Sequence, residues 1–280
     1  MLRFLVRRSR LVLPFAALAG VLLSAQVFPP VSGQQPLTER SGDQVRLAEP
    51  TPVFIIDPGH GGDDLGVRGA GAVPEKHLTL DLARRVRLAI EARGGALVIL
   101  TRDNDRAVTP DDRATVANAA GGALFISLHF NASLRAATVG AEVYYHRPEM
   151  EAPNPLAEAP EGSPPAGPVW LSIPGDNPRA FDLRRWERVQ DRHTAGSAAL
   201  AGMLVDALTV RLPMGARPLR QIPSRVLAGL DMPAALIEVA YLTHPGEAAT
   251  SGAEAFQSLI ADAVAEVATR FRGRPVSGIE

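Results

Sequence analysis

Three short strings in this chain end apolar runs with a residue able to bind a metal or move a proton: VFIIDPGHGG, SLHFNAS and ALIEVAYLTH, which carry His60, His129 and Glu238. Read as strands, the three runs place those residues at carboxyl ends, where an open α/β sheet collects its ligands and catalytic groups. Glu75 follows the first string at the predicted start of a helix. Together with His60 and His129 it would offer two nitrogens and one oxygen to a zinc ion (Zn2+) and leave one coordination position open. Glu238 differs in kind, because it interrupts the run Ala234-Ala235-Leu236-Ile237 and Val239-Ala240. A carboxylate inside so apolar a strand is costly unless it is paired, hydrogen-bonded or functional. The reading assigns metal binding to His60, Glu75 and His129 and catalysis to Glu238.

Each of these residues also has a plainer explanation. Gly61 and Gly62 let the backbone turn sharply after His60, so an ordinary turn histidine would fit there. His129 would serve as a half-buried strand histidine bonded to a carbonyl, and Glu75 as a carboxylate facing the positive end of a helix dipole. His77 and His193 fall on predicted helices and His146 and His244 in predicted loops, all with surface or capping roles. As a carboxylate that orients a metal-binding histidine, Asp57 is preferred to the pair Asp63-Asp64, which reads as a solvated loop face.

The elements that must hold these residues follow from periodicity. From Thr51 onward the patterns alternate: strands over 53–57, 96–100, 123–129 and 141–145, and helices over 75–93, 110–120 and roughly 184–212. This order predicts an α/β fold with a mostly parallel twisted sheet, helices on both faces and the zinc site at the carboxyl ends of the strands. Leu78, Leu82, Val86, Ala89 and Ile90 recur at helical spacing, and Gly94-Gly95 supplies the stop. Thr109, Pro110 and Asp112 have the spacing of an N-cap, a first-turn proline and a capping-box carboxylate. Phe256, Leu259, Ile260, Ala263, Val264, Val267 and Phe271 form the longest apolar stripe, expected to pack on the sheet.

Composition narrows the function classes. The 280 residues carry a net charge of -1 and no cysteine, which excludes disulfides and thiolate metal sites and gives no bulk electrostatic reason to expect nucleic acid as a partner. Arg3, Arg7, Arg8 and Arg10 precede an apolar stretch from Leu11 to Phe28, the layout of an export signal. Residues 1–33 are expected to be that signal or an uncleaved signal anchor, which would be the only membrane contact. Residues 34–50 read as a linker, 51–273 as a catalytic domain and 274–280 as a tail. Within the domain, about 147–182 is dense in Pro, Glu, Ala and Gly and reads as an insertion. It follows a strand. If that strand runs parallel to its neighbours, the insertion emerges near the metal site as a lid; a solvated spacer is the alternative.

With these motifs in order, the chain resembles the zinc-dependent N-acetylmuramoyl-L-alanine amidases from about Val53 to Phe271. Asp57-Pro58-Gly59-His60-Gly61-Gly62 looks like the family's first zinc motif, Glu75-Lys76 like its second, and Ser127-Leu128-His129-Phe130-Asn131-Ala132 like its third. Glu238 falls where the family carries its catalytic glutamate. Thr101-Arg102, Asp105 and Arg113 match a further pattern, read as structural or substrate-lining. Two departures stand out: Phe130 replaces a usually small residue, which predicts a narrower cleft or a shifted loop, and Val239-Ala240-Tyr241-Leu242-Thr243-His244 replaces a Gly-Phe and Ser-Asn sequence. The insertion sits where some members carry an inhibitory helix, although its prolines argue against a long one here. The resemblance implies zinc as cofactor, peptidoglycan as substrate and a location in the periplasm or cell envelope, with an activator protein of the envelope left open as a partner. A zinc exopeptidase acting on wall peptides and a non-catalytic peptidoglycan-binding domain are the alternatives.

Overall fold

The computed structural model describes residues 51–69, 73–147, 169–171, 179–181 and 186–271. The expected export segment, linker and tail, and most of the insertion, lie outside the described residues. The elements run β1 (Val53–Pro58), α1 (Glu75–Arg93), β2 (Leu97–Leu100), α2 (Pro110–Ala119), β3 (Leu124–Asn131), β4 (Ala141–His146), β5 (Val169–Leu171) and β6 (Arg179–Phe181). A 3-10 helix (Trp186–His193), α3 (Thr194–Thr209), β7 (Met214–Ile222), α4 (Arg225–Ala228), β8 (Ala234–Tyr241), α5 (Pro245–Thr250) and α6 (Glu254–Phe271) follow.

Side-chain alternation builds two cores, one on each face of the sheet. Phe54 and Ile56 of β1, with Leu124, Ile126 and Leu128 of β3, pack against α1, α3 and α6. The intervening Ile55 and Phe125 join Ala234 and Leu236 of β8 against α2 and α4. Strands covered on both faces read as nearly continuous apolar runs, which is why β1, β3 and β8 stand out in the sequence. α2 begins as its sequence dictates, with Thr109 accepting from the Asp112 amide and the Asp112 carboxylate closing the capping box. In the last helix Ile260, Val264 and Val267 are buried, but Leu259, expected in the stripe, faces solvent.

The six-stranded sheet has the order β2-β1-β3-β8-β4-β7. β2, β1, β3 and β8 run parallel, and β7 is parallel to β4. β4, however, lies antiparallel to β8, so the sheet is mixed. This has two consequences. The amino end of β4 stands beside the carboxyl end of β8, with Glu142 opposite Glu238. Conversely, His146 ends β4 at the far end of the sheet, so the condition on which the lid rested fails: the insertion leaves from the end opposite to Glu238.

Other expectations are corrected locally. The stretch 169–181, expected to be without pattern, contains the short antiparallel pair β5–β6. The helix expected over 184–212 is a 3-10 turn followed by α3, with His193 at the junction. The buried Gln190 fixes that junction by donating to the Leu230 and Met232 carbonyls and accepting from Ser197. His146 is a buried strand residue rather than a loop one, whereas His244 takes the capping role expected of it, at the start of α5. β7 was not foreseen, because Gly215, Arg217, Pro218 and Arg220 break any apolar alternation; it survives as an edge strand, where proline is tolerated. Among the described residues no helix is long and apolar enough to cross a membrane.

Candidate active site

Buried side chains brace the loop after β1, in addition to its backbone hydrogen bonds. Asp57, fully buried at the end of β1, accepts from Arg113 Nη1 at 2.5 Å, from Ser127 Oγ at 2.7 Å and from Thr101 Oγ1. Burial pushes its carboxyl up, but the Arg113 charge and these hydrogen bonds outweigh burial and hold it below the usual range. Arg113 also donates to the carbonyls of Pro58 and His60, at 2.8 and 2.9 Å. Arg102 donates to Pro58 and Gly59, at 3.0 and 2.7 Å. Lys76 donates to the Gly62 carbonyl at 2.8 Å and pairs with Asp105 at 2.6 Å, while Asp105 accepts from the Gly62 amide. The Thr101-Arg102, Asp105 and Arg113 pattern is therefore structural: it fixes the backbone of the DPGHGG loop.

That fixation holds a strained conformation. His60 has φ 61°, in the left-handed region that non-glycine residues seldom occupy and that recurs where a site over-determines its geometry. Two glycines make room beside it. A Cβ on Gly59 would lie 2.3 Å from the His129 ring, and one on Gly66, with φ 64°, would lie 2.5 Å from Glu75 Oε2.

The result is a tight group of donor atoms. His60 Nε2 lies 3.0 Å from Glu75 Oε1, His129 Nδ1 lies 3.1 Å from the same oxygen, and the two nitrogens are 3.2 Å apart. Nitrogen and oxygen ligands about 2.0–2.2 Å from a zinc ion stand about 3.3 Å from one another in a tetrahedron, so the spacing and chemistry of this set fit such an ion. Glu75 is only 1% exposed, too buried for a helix-dipole role alone. Its Oε1 accepts from the Phe130 amide and its Oε2 from the Val67 amide. Burial works against its charge, yet the hydrogen bonds and charges of His129 and His60 bring its pKa down to about 2. His60 is raised: burial opposes its charge, but Glu75 and Asp64 outweigh that.

Asp64 is the carboxylate that orients His60, accepting from Nδ1 at 2.8 Å. This corrects the preference for Asp57, which is engaged with Arg113; Asp64 remains a solvated loop residue, its side chain 64% exposed. Phe130 is corrected too. Its ring is buried in the larger core, so it does not narrow the cleft, and the strand register shifts between His129 and Asn131.

Glu238 sits in register with His129 on the adjacent strand. Alternation places both side chains on the face of Phe125 and Leu236. Its Oε2 is buried without a hydrogen-bond partner. Burial pushes its pKa to about 7, with His129 opposing and Glu75 adding to the rise. Beyond it, on the same face, stand Glu142 and Tyr144 of β4, the Tyr144 hydroxyl donating to Glu142. Arg220 of β7 lies over the Tyr144 ring, 5.4 Å from its centre. Sequence reading passed over Glu142, although it carries the same signal as Glu238, a lone carboxylate in an apolar strand.

The same chain can be placed among known proteins. It is 27% identical over 223 residues to the N-acetylmuramoyl-L-alanine amidase AmiC of Neisseria meningitidis serogroup B, a stretch that covers 79% of this chain and 52% of that protein. It is 28% identical over 214 residues to AmiA of Escherichia coli K12, covering 76% and 74%. The chain thus spans about half the length of the first relative and three quarters of the second. The solved catalytic domain of the amidase CwlV from Bacillus (Paenibacillus) polymyxa var. colistinus superposes with a TM-score of 0.59 at 25% identity, covering 79% of this chain and 98% of that one. The sequence profile of the N-acetylmuramoyl-L-alanine amidases matches residues 54–270. A match that runs from the first strand to the last helix takes in the whole sheet, and the chain belongs to the N-acetylmuramoyl-L-alanine amidase family.

Proposed function

We propose that this protein is a zinc-dependent N-acetylmuramoyl-L-alanine amidase that hydrolyses the amide between N-acetylmuramic acid and L-alanine in peptidoglycan. One observation carries the reading: three donor atoms from His60, Glu75 and His129 stand 3.0–3.2 Å apart, next to a partnerless carboxyl oxygen of Glu238 on the same face of the sheet. Family membership supports the bond that is cut. The arginine-flanked apolar stretch before Phe28 supports an exported protein of the periplasm or cell envelope, and recovery of its activity outside the cytoplasm is the corresponding check.

In this reading His60, Glu75 and His129 hold the ion, and Asp64 fixes the ring of His60 so that Nε2 faces inward. When bound, zinc supplies a Lewis acid that makes water nucleophilic near neutral pH and offsets negative charge on the scissile carbonyl oxygen. Glu238 takes the proton from the attacking water and returns it to the departing L-alanine nitrogen. Burial raises the Glu238 pKa to about 7, where a carboxyl can both accept and release a proton near neutral pH. The rigid loop carrying His60 limits reorganisation of the site during the reaction.

Elemental analysis of protein purified without added metal should find one zinc per chain, reduced in the His60→Ala and His129→Ala variants. Mass spectrometry of digested peptidoglycan should find free stem peptides and intact glycan, and a chelator should abolish both products of the cut. Full zinc content in both variants would reject the ligand set; shortened peptides still attached to muramic acid would point to an exopeptidase instead.

A further inference from the structure

Arg220 is a cation without a committed acceptor. Its guanidinium carbon lies over the Tyr144 ring, 5.4 Å from the ring centre, and the guanidinium approaches Glu142 only to 3.9 Å, beyond hydrogen-bond distance. Glu142 is meanwhile served by the Tyr144 hydroxyl and is 7% exposed, so it lies beneath the surface. The Arg220 side chain is 44% exposed. Among the described residues its five N–H donors meet no hydrogen-bonding oxygen. An arginine held over an aromatic face by cation–π attraction, and not by hydrogen bonds, keeps donors free for a planar, two-oxygen acceptor.

Its position gives that acceptor a place in the reaction. Arg220 is the register partner of Tyr144, and Glu142 is the register partner of Glu238. His129, Glu238 and Glu142 therefore stand in one row across β3, β8 and β4, and Tyr144 and Arg220 project from the same face two residues further along β4 and its β7 partner. If Glu238 protonates the departing amine, the peptide side of the scissile amide lies toward Glu238, and continuing in that direction leads to β4 and β7. Two strand spacings and an offset of two residues along the strand make about 12 Å, the length of about three to four extended residues.

We propose that Arg220 is a specificity-determining residue that binds a carboxylate of the peptide on the amine side of the scissile bond, within the first residues after L-alanine. This rests on the amidase reading above. Tyr144 supports the guanidinium from below, and Glu142 biases its orientation without occupying its donor edge. A peptide whose carboxylate is masked as an amide loses the charge-assisted pair and is a poorer substrate.

The test uses the zinc-loaded protein and two muramoyl peptides that differ in one group, the second residue's carboxylate being free in one and amidated in the other. The readout is the ratio of kcat/KM for the free form to that for the amidated form. A charge-assisted hydrogen bond corresponds to about a 10- to 100-fold preference, and the native protein should show a ratio in that range. Arg220→Gln should bring the ratio to near one, mainly through KM for the free form. Arg220→Lys should fall between, because it keeps the charge and loses the planar fork. A native ratio near one, or a preference that persists in Arg220→Gln, overturns the proposal. Equal losses on both peptides overturn it as well, since they mark a structural role. If the native protein releases peptide from neither substrate, the amidase reading itself falls.

Discussion

At the scale of single residues, the site depends on a division of labour between carboxylates that look alike in sequence. Glu238 is the one with a buried oxygen and no partner, as expected of a group that exchanges protons. Glu238→Gln should keep fold and zinc while losing about 10²- to 10⁴-fold in rate; near-native turnover in that variant would remove Glu238 from the mechanism. Asp57 has the opposite character, buried and bound to Arg113, Thr101 and Ser127. Asp57→Asn leaves the Arg113 charge uncompensated and should cost about 3–5 kcal/mol of stability. The pH dependence follows from its depressed pKa. Its contribution is fully present above the unfolded value of about 3.9 and is lost as pH falls through the lower folded value. The native midpoint of unfolding should therefore drop more steeply below pH 4 than that of Asp57→Asn, and parallel profiles would refute the assignment. The exchange of roles between Asp57 and Asp64 was not legible in sequence, since both lie within four residues of His60. Only the approach of Arg113 from α2 to Asp57 and the i to i+4 contact of Asp64 separate them.

At the scale of elements, what was local was legible. α1 spans 75–93 as its apolar spacing and terminal glycine predict, and α2 starts at the capping box formed by Thr109 and Asp112. Thr109→Ala should cost about 1 kcal/mol, readable as a shift in denaturation midpoint, and no shift would mean the cap is redundant. This cap also bears on the site, because α2 delivers Arg113 to Asp57 and to the His60 carbonyl. What depended on distant pairing was not legible. The apolar pattern of β4 is the same whichever way the strand runs, so its direction, set by pairing with β8 and β7, had no local signature. β7 was missed because an edge strand buries little and needs no alternation. The metal-binding candidates were legible for the reverse reason: each lies next to its own motif, and the sheet order does the rest.

At the scale of the whole molecule, the position of β8 has a temporal consequence. It is the last strand among the described residues, yet it lies inside the sheet, between β3 and β4. Until it inserts, the half made of β2, β1 and β3 and the half made of β4 and β7 have no edge to share, and both present unpaired strands. A chain still being synthesised can therefore place His60, Glu75 and His129 close together but lacks both Glu238 and the seam that closes the sheet. Closure of the sheet and arrival of the proposed proton carrier are one event. A chain ended at Pro233 should fail to unfold cooperatively and should show no hydrolysis, whereas cooperative melting of that fragment would show that the halves join without the strand. On the proposed reading, a copy folded only as far as β7 lacks Glu238, so this order of assembly withholds the proposed proton carrier until the sheet is closed.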